Sequence, residues 1–257
     1  MKDLPGRYIF WVLFAGVVFL CGFGSPIPKW FYKVPTGDGC IYSVGISNRY
    51  SGDKDSFTAA RDDGVENLIR SIRVHVRSGL AEYVENGSIE MRTFISEEID
   101  STLYNTVYQQ CMILDSILTD KQAIVLVGWN KNRTKGEYGR LSRLNFKLYS
   151  RPSSEPSWIR STPRRNGYLF GVGMSTSYGE LARSWNESAK KARLEVAQQI
   201  NINVSNLDIS YTGLGDHNKS WTEQTVNITL EGSRVTERWY DAKQDIYYTL
   251  VEYMLTK

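Results

Sequence analysis

Pro156-Ser157-Trp158, then Pro163, then Tyr168-Leu-Phe-Gly-Val-Gly-Met-Ser175 is the stretch that decides the fold, because it has an echo. The chain reads Pro28-Lys29-Trp30, Pro35 and Cys40-Ile-Tyr-Ser-Val-Gly-Ile-Ser47 at a constant offset of 128 residues, with no gap. The register carries on into the next element, where Gly64 falls on Ala192, Leu68 on Val196 and Ile72 on Ile200. A constant offset is the mark of an internal repeat. The expectation is two tandem copies of one small α+β domain, spanning residues 28–150 (with a basic linker) and 151–257, behind an N-terminal segment at 1–24. Each copy is expected to hold a mainly antiparallel sheet and one long amphipathic helix.

Length and composition fit that division. Two units of a little over one hundred residues can each bury a core, and 41% hydrophobic with 23% charged residues is an ordinary globular balance. A net charge of +3 is too small to imply nucleic acid as a partner. Three cysteines exclude a disulfide-dense scaffold.

Lys2 and Arg7 precede an uncharged, mostly apolar run from Tyr8 to Phe23, the pattern of an export signal. Three fates fit it. Cys21 stands where a bacterial lipoprotein carries its acylated cysteine, although Leu20 is bulky where the processing peptidase takes a small residue. Gly22-Phe23-Gly24 offers a small-x-small site releasing Ser25. Left uncleaved, the run is near the length that spans a bilayer. All three put residues 28–257 outside the cytoplasm.

Within the first copy, Pro26 to Tyr32 reads as an extended arm held by its prolines, and Trp30 reads as a packing anchor or a ligand-stacking ring. Tyr42, Val44 and Ile46 alternate as a half-buried strand, and Gly45 inside it marks close approach of another backbone. A helix follows, with Phe57, Ala60, Gly64, Leu68 and Ile72 on one stripe; in the second copy the stripe is Leu181, Trp185, Ala189, Ala192, Val196 and Ile200. Gly64 and Ala192 are both small, as a helix lying close across a sheet requires. Lys190, Lys191 and Arg193 read as its solvated outer face. The period then changes to two at Ile72-x-Val74-x-Val76 and Ile200-x-Ile202-x-Val204, predicting a strand in both copies. Closing strands are expected at 106–114 and 123–129, and at 234–240 and 246–255, with a shorter turn at 241–245 in the second copy. Residues 89–95 and 221–230 fit either helix or strand. Leu144, Phe146 and Leu148 alternate as an extra edge strand. Ten Lys/Arg between Lys131 and Arg165 make a stretch that either touches anionic lipid or is simply solvated.

The Pro-x-Trp arm, the Val-Gly-x-Ser strand, the helix with Lys191-Ala192-Arg193 and the closing Val235-Thr-Glu-Arg-Trp-Tyr-Asp241 resemble the LPP20 lipoprotein family, exported proteins of Gram-negative bacteria. The resemblance is nearly complete over 154–255 and partial in the first copy. It implies an α+β unit attached to a membrane of the cell envelope, in some members at the outer membrane or the flagellum, and carries no catalytic residues to transfer.

Chemistry-bearing patterns are sparse. His75 and His217 lack metal-ligand spacing, there is no Cys-x-x-Cys, and no G-x-S-x-G elbow. Glu97, Glu98 and Asp100 read as a solvated face. No enzyme, metal or cofactor is expected. Two functions from different classes are: a periplasmic or outer-membrane protein that self-associates or binds other envelope proteins, or a periplasmic module that takes a glycan or small ligand on its aromatics. In an oxidising periplasm Cys40 and Cys111 are candidates for a disulfide.

Overall fold

The computed structural model describes residues 27–37, 39–85, 88–130, 154–211 and 225–255. Cys21, His217 and the alternation at Leu144, Phe146 and Leu148 lie outside the described residues. In chain order the elements are α1 (Lys29–Tyr32), β1 (Ile41–Asn48), α2 (Asp53–Ile72), β2 (Arg73–Glu85), β3 (Ser88–Ile99), α3 (Ser101–Gln110), β4 (Met112–Leu118), β5 (Gln122–Trp129), α4 (Ser157–Arg160), β6 (Tyr168–Thr176), α5 (Leu181–Tyr211), β7 (Val226–Glu231), β8 (Arg234–Asp241) and β9 (Ile246–Met254).

The described strands form three antiparallel sheets, ordered β1-β5-β4, β6-β9-β8 and β3-β2-β7. The first two are built alike. β1 pairs β5 with Gly45 opposite Val125, and β6 pairs β9 with Gly173 opposite Thr249. β4 carries a bulge between Ile113 and Asp115, and β8 carries one between Val235 and Glu237. Local hydrogen bonds recur at the 128-residue offset: Tyr50 N donates to Ser56 Oγ and Tyr178 N to Ser184 Oγ, at 2.8 and 3.0 Å. The arm at 26–32 is not extended throughout: Pro28 stands at the N-cap of a helical turn over Lys29–Tyr32, as Pro156 does before Ser157–Arg160. Each indole reaches the carboxylate at the bulge, Trp30 Nε1 to Asp115 Oδ2 and Trp158 Nε1 to Glu237 Oε2, both 2.8 Å.

One long helix crosses each of these sheets, and glycine lets it come close. A Cβ on Gly45 would overlap the Ala60 carbonyl and the Gly64 amide, and one on Gly173 the Ser188 carbonyl and the Ala192 amide. Ser43 Oγ, on the same face as Gly45, donates to Gly64 O. The clashing atoms at Gly173 are backbone and cannot swing away. Gly173→Ala is therefore expected to destabilise by about 3 kcal/mol, lowering Tm by roughly 6–12 °C for a chain of this size, as a thermal melt would read.

β5 is apolar at nearly every position because both its faces are covered. Ala123, Val125 and Val127 pack under α2, while Ile124 and Leu126 meet an aromatic cluster on the other side.

The expectation of one closed core per copy does not hold. β7, from the second half, pairs with β2 from Arg73–Glu231 to Ser78–Val226. Val74 and Val76 share a cluster with Ala192, Val196, Val226, Leu230 and Val251. Trp185 and Tyr247 join Trp30, Phe31, Tyr42 and Val44 in another. Val34 N donates to Thr236 O at 2.9 Å beside a Lys33–Glu237 bridge, so the first arm adds to the edge of β8.

Other expectations change as well. Residues 101–110 are helix: Asp100 accepts from Thr102 N at 3.0 Å as an N-cap, and Leu103, Tyr104, Val107 and Tyr108 turn inward at helical spacing. The 200–204 stretch continues α5, since Val196, Ile200 and Val204 also satisfy the helical period. Residues 88–99 and 226–231 are strands. The offset falls from 128 to 122 before β8, where α3 has no counterpart among the described residues; the 242–245 turn is the longer one and restores two residues.

Candidate functional site

A cleft of about 380 Å³ opens where the halves meet. Phe31 and Tyr32 come from the first arm, Leu181 and Trp185 from the start of α5, Tyr240 and Tyr247 from β8 and β9, residues 119–121 from the β4–β5 turn and Gln122 from the start of β5. The rings interlock edge to face, Phe31 with Trp185 at 5.5 Å and Trp185 with Tyr247 at 4.9 Å, the arrangement that the ring quadrupoles favour. Burial pushes the Tyr247 hydroxyl up, against hydrogen bonds from Ser177 and Tyr240. Gln122 is buried at the rim, and its Oε1 has no hydrogen-bond partner among the described residues. A buried amide oxygen without a donor is costly.

Beside the cleft runs a polar seam between α2 and α5. Asp63 Oδ1 accepts from Asn186 Nδ2 at 2.8 Å, and Oδ2 accepts from the Ile46 amide at 2.8 Å. Asn67 Nδ2 donates to Val44 O at 3.2 Å, and in the second half Glu195 takes the Val172 amide. β1 and β6 are edge strands, so these side chains occupy backbone groups that would otherwise invite pairing.

Burial pushes the Asp63 carboxyl up to about 6, against the Asn186 and Ile46 hydrogen bonds. Arg238, 6% exposed, has its guanidinium lowered to about 10 by desolvation and remains a cation at neutral pH. Its Nη1 lies 3.4 Å from Phe31 O. Because the folded protein holds the Asp63 proton more tightly than the unfolded chain does, the stability this group supplies is full below about pH 4. It is lost as pH rises through about 6. The shift corresponds to about 3 kcal/mol. Asp63→Asn should remove that fall: the wild-type minus variant unfolding free energy, from urea titrations at pH 4 and pH 7, should drop by about that amount. An unchanged difference would mean the carboxyl titrates normally.

Glu97 is not on a solvated face, and Arg193 is not on one either. Arg193 is 1% and Glu97 7% exposed, and Arg193 Nη1 meets both Glu97 oxygens at 3.0 and 3.1 Å. Arg70 Nε approaches the same carboxylate at 3.4 Å. This pair clips α5 to β3. Glu98 is exposed against Arg77, and Asp100 caps α3. His75 sits between Thr229 Oγ1 and Asn227 Oδ1 across the β2–β7 pairing.

No disulfide joins Cys40 and Cys111. Cys40 precedes β1 and Cys111 precedes β4, and β5 runs between those strands. Two strand spacings, about 9–10 Å, exceed the reach of a disulfide. Cys40 lies in the aromatic cluster and Cys111 in the cluster under α2. The bulge register aligns Cys111 with Ser233. Among the described residues no group of His, Cys, Asp and Glu could hold a metal, and no helix is long and apolar enough to cross a membrane.

The fold and cleft define an α+β protein of two interlocked sheet–helix units with an aromatic junction. Residues 156–253, from the second arm through β9, match the LPP20 lipoprotein family. No curated protein and no solved structure matches the chain.

Proposed function

We propose that this chain is a duplicated unit, that it is a membrane-attached lipoprotein of the cell envelope, and that it works by docking to other proteins rather than by catalysis. The lipoprotein match over 156–253 supports the location, and the recurring arm, bulge and glycine geometry supports the duplication. The observation that carries the docking role is the outward face of the second sheet. There Met174 is 58% exposed, with Val172, Trp239 and Tyr248 half-buried around it, and apolar patches of this kind mark contact sites. The flagellar base is one setting the resemblance suggests.

The test is to replace Met174 with photo-reactive benzoylphenylalanine in the full chain and irradiate living cells. Adducts larger than the chain are expected; their absence would sink the docking role. Membrane attachment is tested apart from it. Cys21→Ser should release the protein from the membrane fraction, and the intact mass of the wild type should carry acyl chains.

A second function, ligand capture, is favoured by the Gln122 oxygen at the rim of an aromatic cleft. A sugar ring would stack on the aromatics and give a hydroxyl to Oε1. Titrating an N-acetylglucosamine tetramer should quench tryptophan fluorescence in the wild type and not in Tyr240→Ala. An unaffected signal at millimolar sugar would rule this out.

A further inference from the structure

The two sheet–helix units are alike, yet their surroundings are not, and the differences occur in matched places. On the first sheet the face turned from α2 presents Tyr42, Val44 and Ile46, and Trp185 and Tyr247 of the second half seal it. On the second sheet the same positions are Phe170, Val172 and Met174. Phe170 is buried beside Trp158 of its own arm, but Ile46 is 3% exposed and Met174 is 58% exposed, so among the described residues nothing comparable to Trp185 and Tyr247 covers the Met174 end of that face. The edges tell the same story. β8 receives Lys33 and Val34 of the first arm. β4, with the same bulge, leaves Ile113 at 45% exposure, while the second arm's matching residues, Ser161 and Thr162, stand exposed.

Resting on the duplication and docking proposed above, we infer that both open surfaces belong to one contact between copies of this chain, repeating between molecules what the first unit does to the second. The second arm of one molecule lies along β4 of the next. The start of α2 of that next molecule, where Phe57, half-buried against its own core, occupies the position of Trp185, covers the Met174 face. Both halves of the contact follow from a single operation, the one already relating the two units within the chain. Because it joins unlike surfaces it is heterologous, and it propagates into a ring or an open chain rather than stopping at a two-fold dimer. Asp115, which accepts from Trp30 Nε1 and from the Ser116 amide, corresponds to Glu237, which binds both Trp158 and Lys33; Ser161 of a neighbouring copy would stand where Lys33 stands at Glu237.

The experiment uses the full chain purified in detergent, with benzoylphenylalanine replacing Met174 in one preparation and Ile113 in another. Mapped adducts should join position 174 to the start of α2 around Phe57 in a second copy, and position 113 to residues 159–163 in a second copy. Sedimentation should show mass rising beyond a dimer with concentration. Met174→Glu, at an exposed position, should raise the half-assembly concentration at least about tenfold, as loss of one central apolar contact does, with an unchanged thermal melt. Coupling of 174 to 174, to residues 131–150 of its own chain, or to a different protein would overturn the inference. In that last case the docking role stands and only self-assembly fails. A monomer at every concentration that gives no adduct removes both.

Discussion

Residues 151–257, expressed without the rest of the chain, will not unfold cooperatively. β7 loses β2, its hydrogen-bonded neighbour, and Val226 and Leu230, fully buried in the whole chain, lose Val74 and Val76. Trp185 and Tyr247 lose Phe31 and the face of the first sheet. Arg193 loses Glu97, the carboxylate that it pairs with. Two large side chains and two aliphatic ones each forfeit burial worth about 1.5–3 kcal/mol, and the total rivals the whole stability of a domain, about 5–15 kcal/mol. The fragment should show a broad, non-sigmoidal melt and little near-ultraviolet tryptophan ellipticity, while a chain lacking only residues 1–24 melts sharply. A sharp transition from the fragment alone would show that the shared sheet is dispensable.

Glu97→Ala should cost roughly 3–5 kcal/mol, the price of stranding a buried partner charge. Arg193 Nε and Nη2 already lack hydrogen-bond partners among the described residues, so nothing nearby can take over from the carboxylate. Replacing both members, Glu97→Leu with Arg193→Met, should recover most of the loss, because an apolar pair of similar volume carries no desolvation penalty. Glu98→Ala, one residue away, removes an exposed pair with Arg77 and should change stability by less than about 1 kcal/mol. Guanidinium titrations of the four proteins decide the matter. Equal effects at positions 97 and 98 would mean that the Arg193 charge finds solvent.

The contrast between positions 97 and 98 shows where a linear chain stops being informative. Glu97, Glu98 and Asp100 form one acidic cluster in sequence, and alternation along β3 sends neighbouring side chains to opposite faces. Which face is buried depends on α5, about a hundred residues away. Arg193 has the same history: beside Lys190 and Lys191 it looks like helix surface, yet it turns toward β3. The cleft is equally hidden, since Phe31, Trp185, Tyr240 and Tyr247 come from four elements, and none carries a local mark that sets it apart from a core aromatic. Cys40 and Cys111 each stand just before a strand of one sheet, but the strand order places β5 between those strands. The α3 helix was legible in principle: Asp100 followed by Leu103, Tyr104 and Val107 is a cap and a stripe.

The sequence by itself determined the pieces that depend on nearby residues. These are the strands that begin near residues 41 and 168, the long helices, the close approach at Gly45 and Gly173, and the constant offset that relates the two halves. Each follows from backbone constraint or from the periodicity of apolar side chains, and both act within a few residues. Only the tertiary structure decided that the halves interlock, with β7 on β2, the first arm on β8 and Trp185 on the first sheet. Those contacts join residues about 150 to 200 positions apart along the chain. They are selected by which apolar faces and strand edges remain open after the local elements have formed, a property of assembled surfaces that no short window of sequence contains.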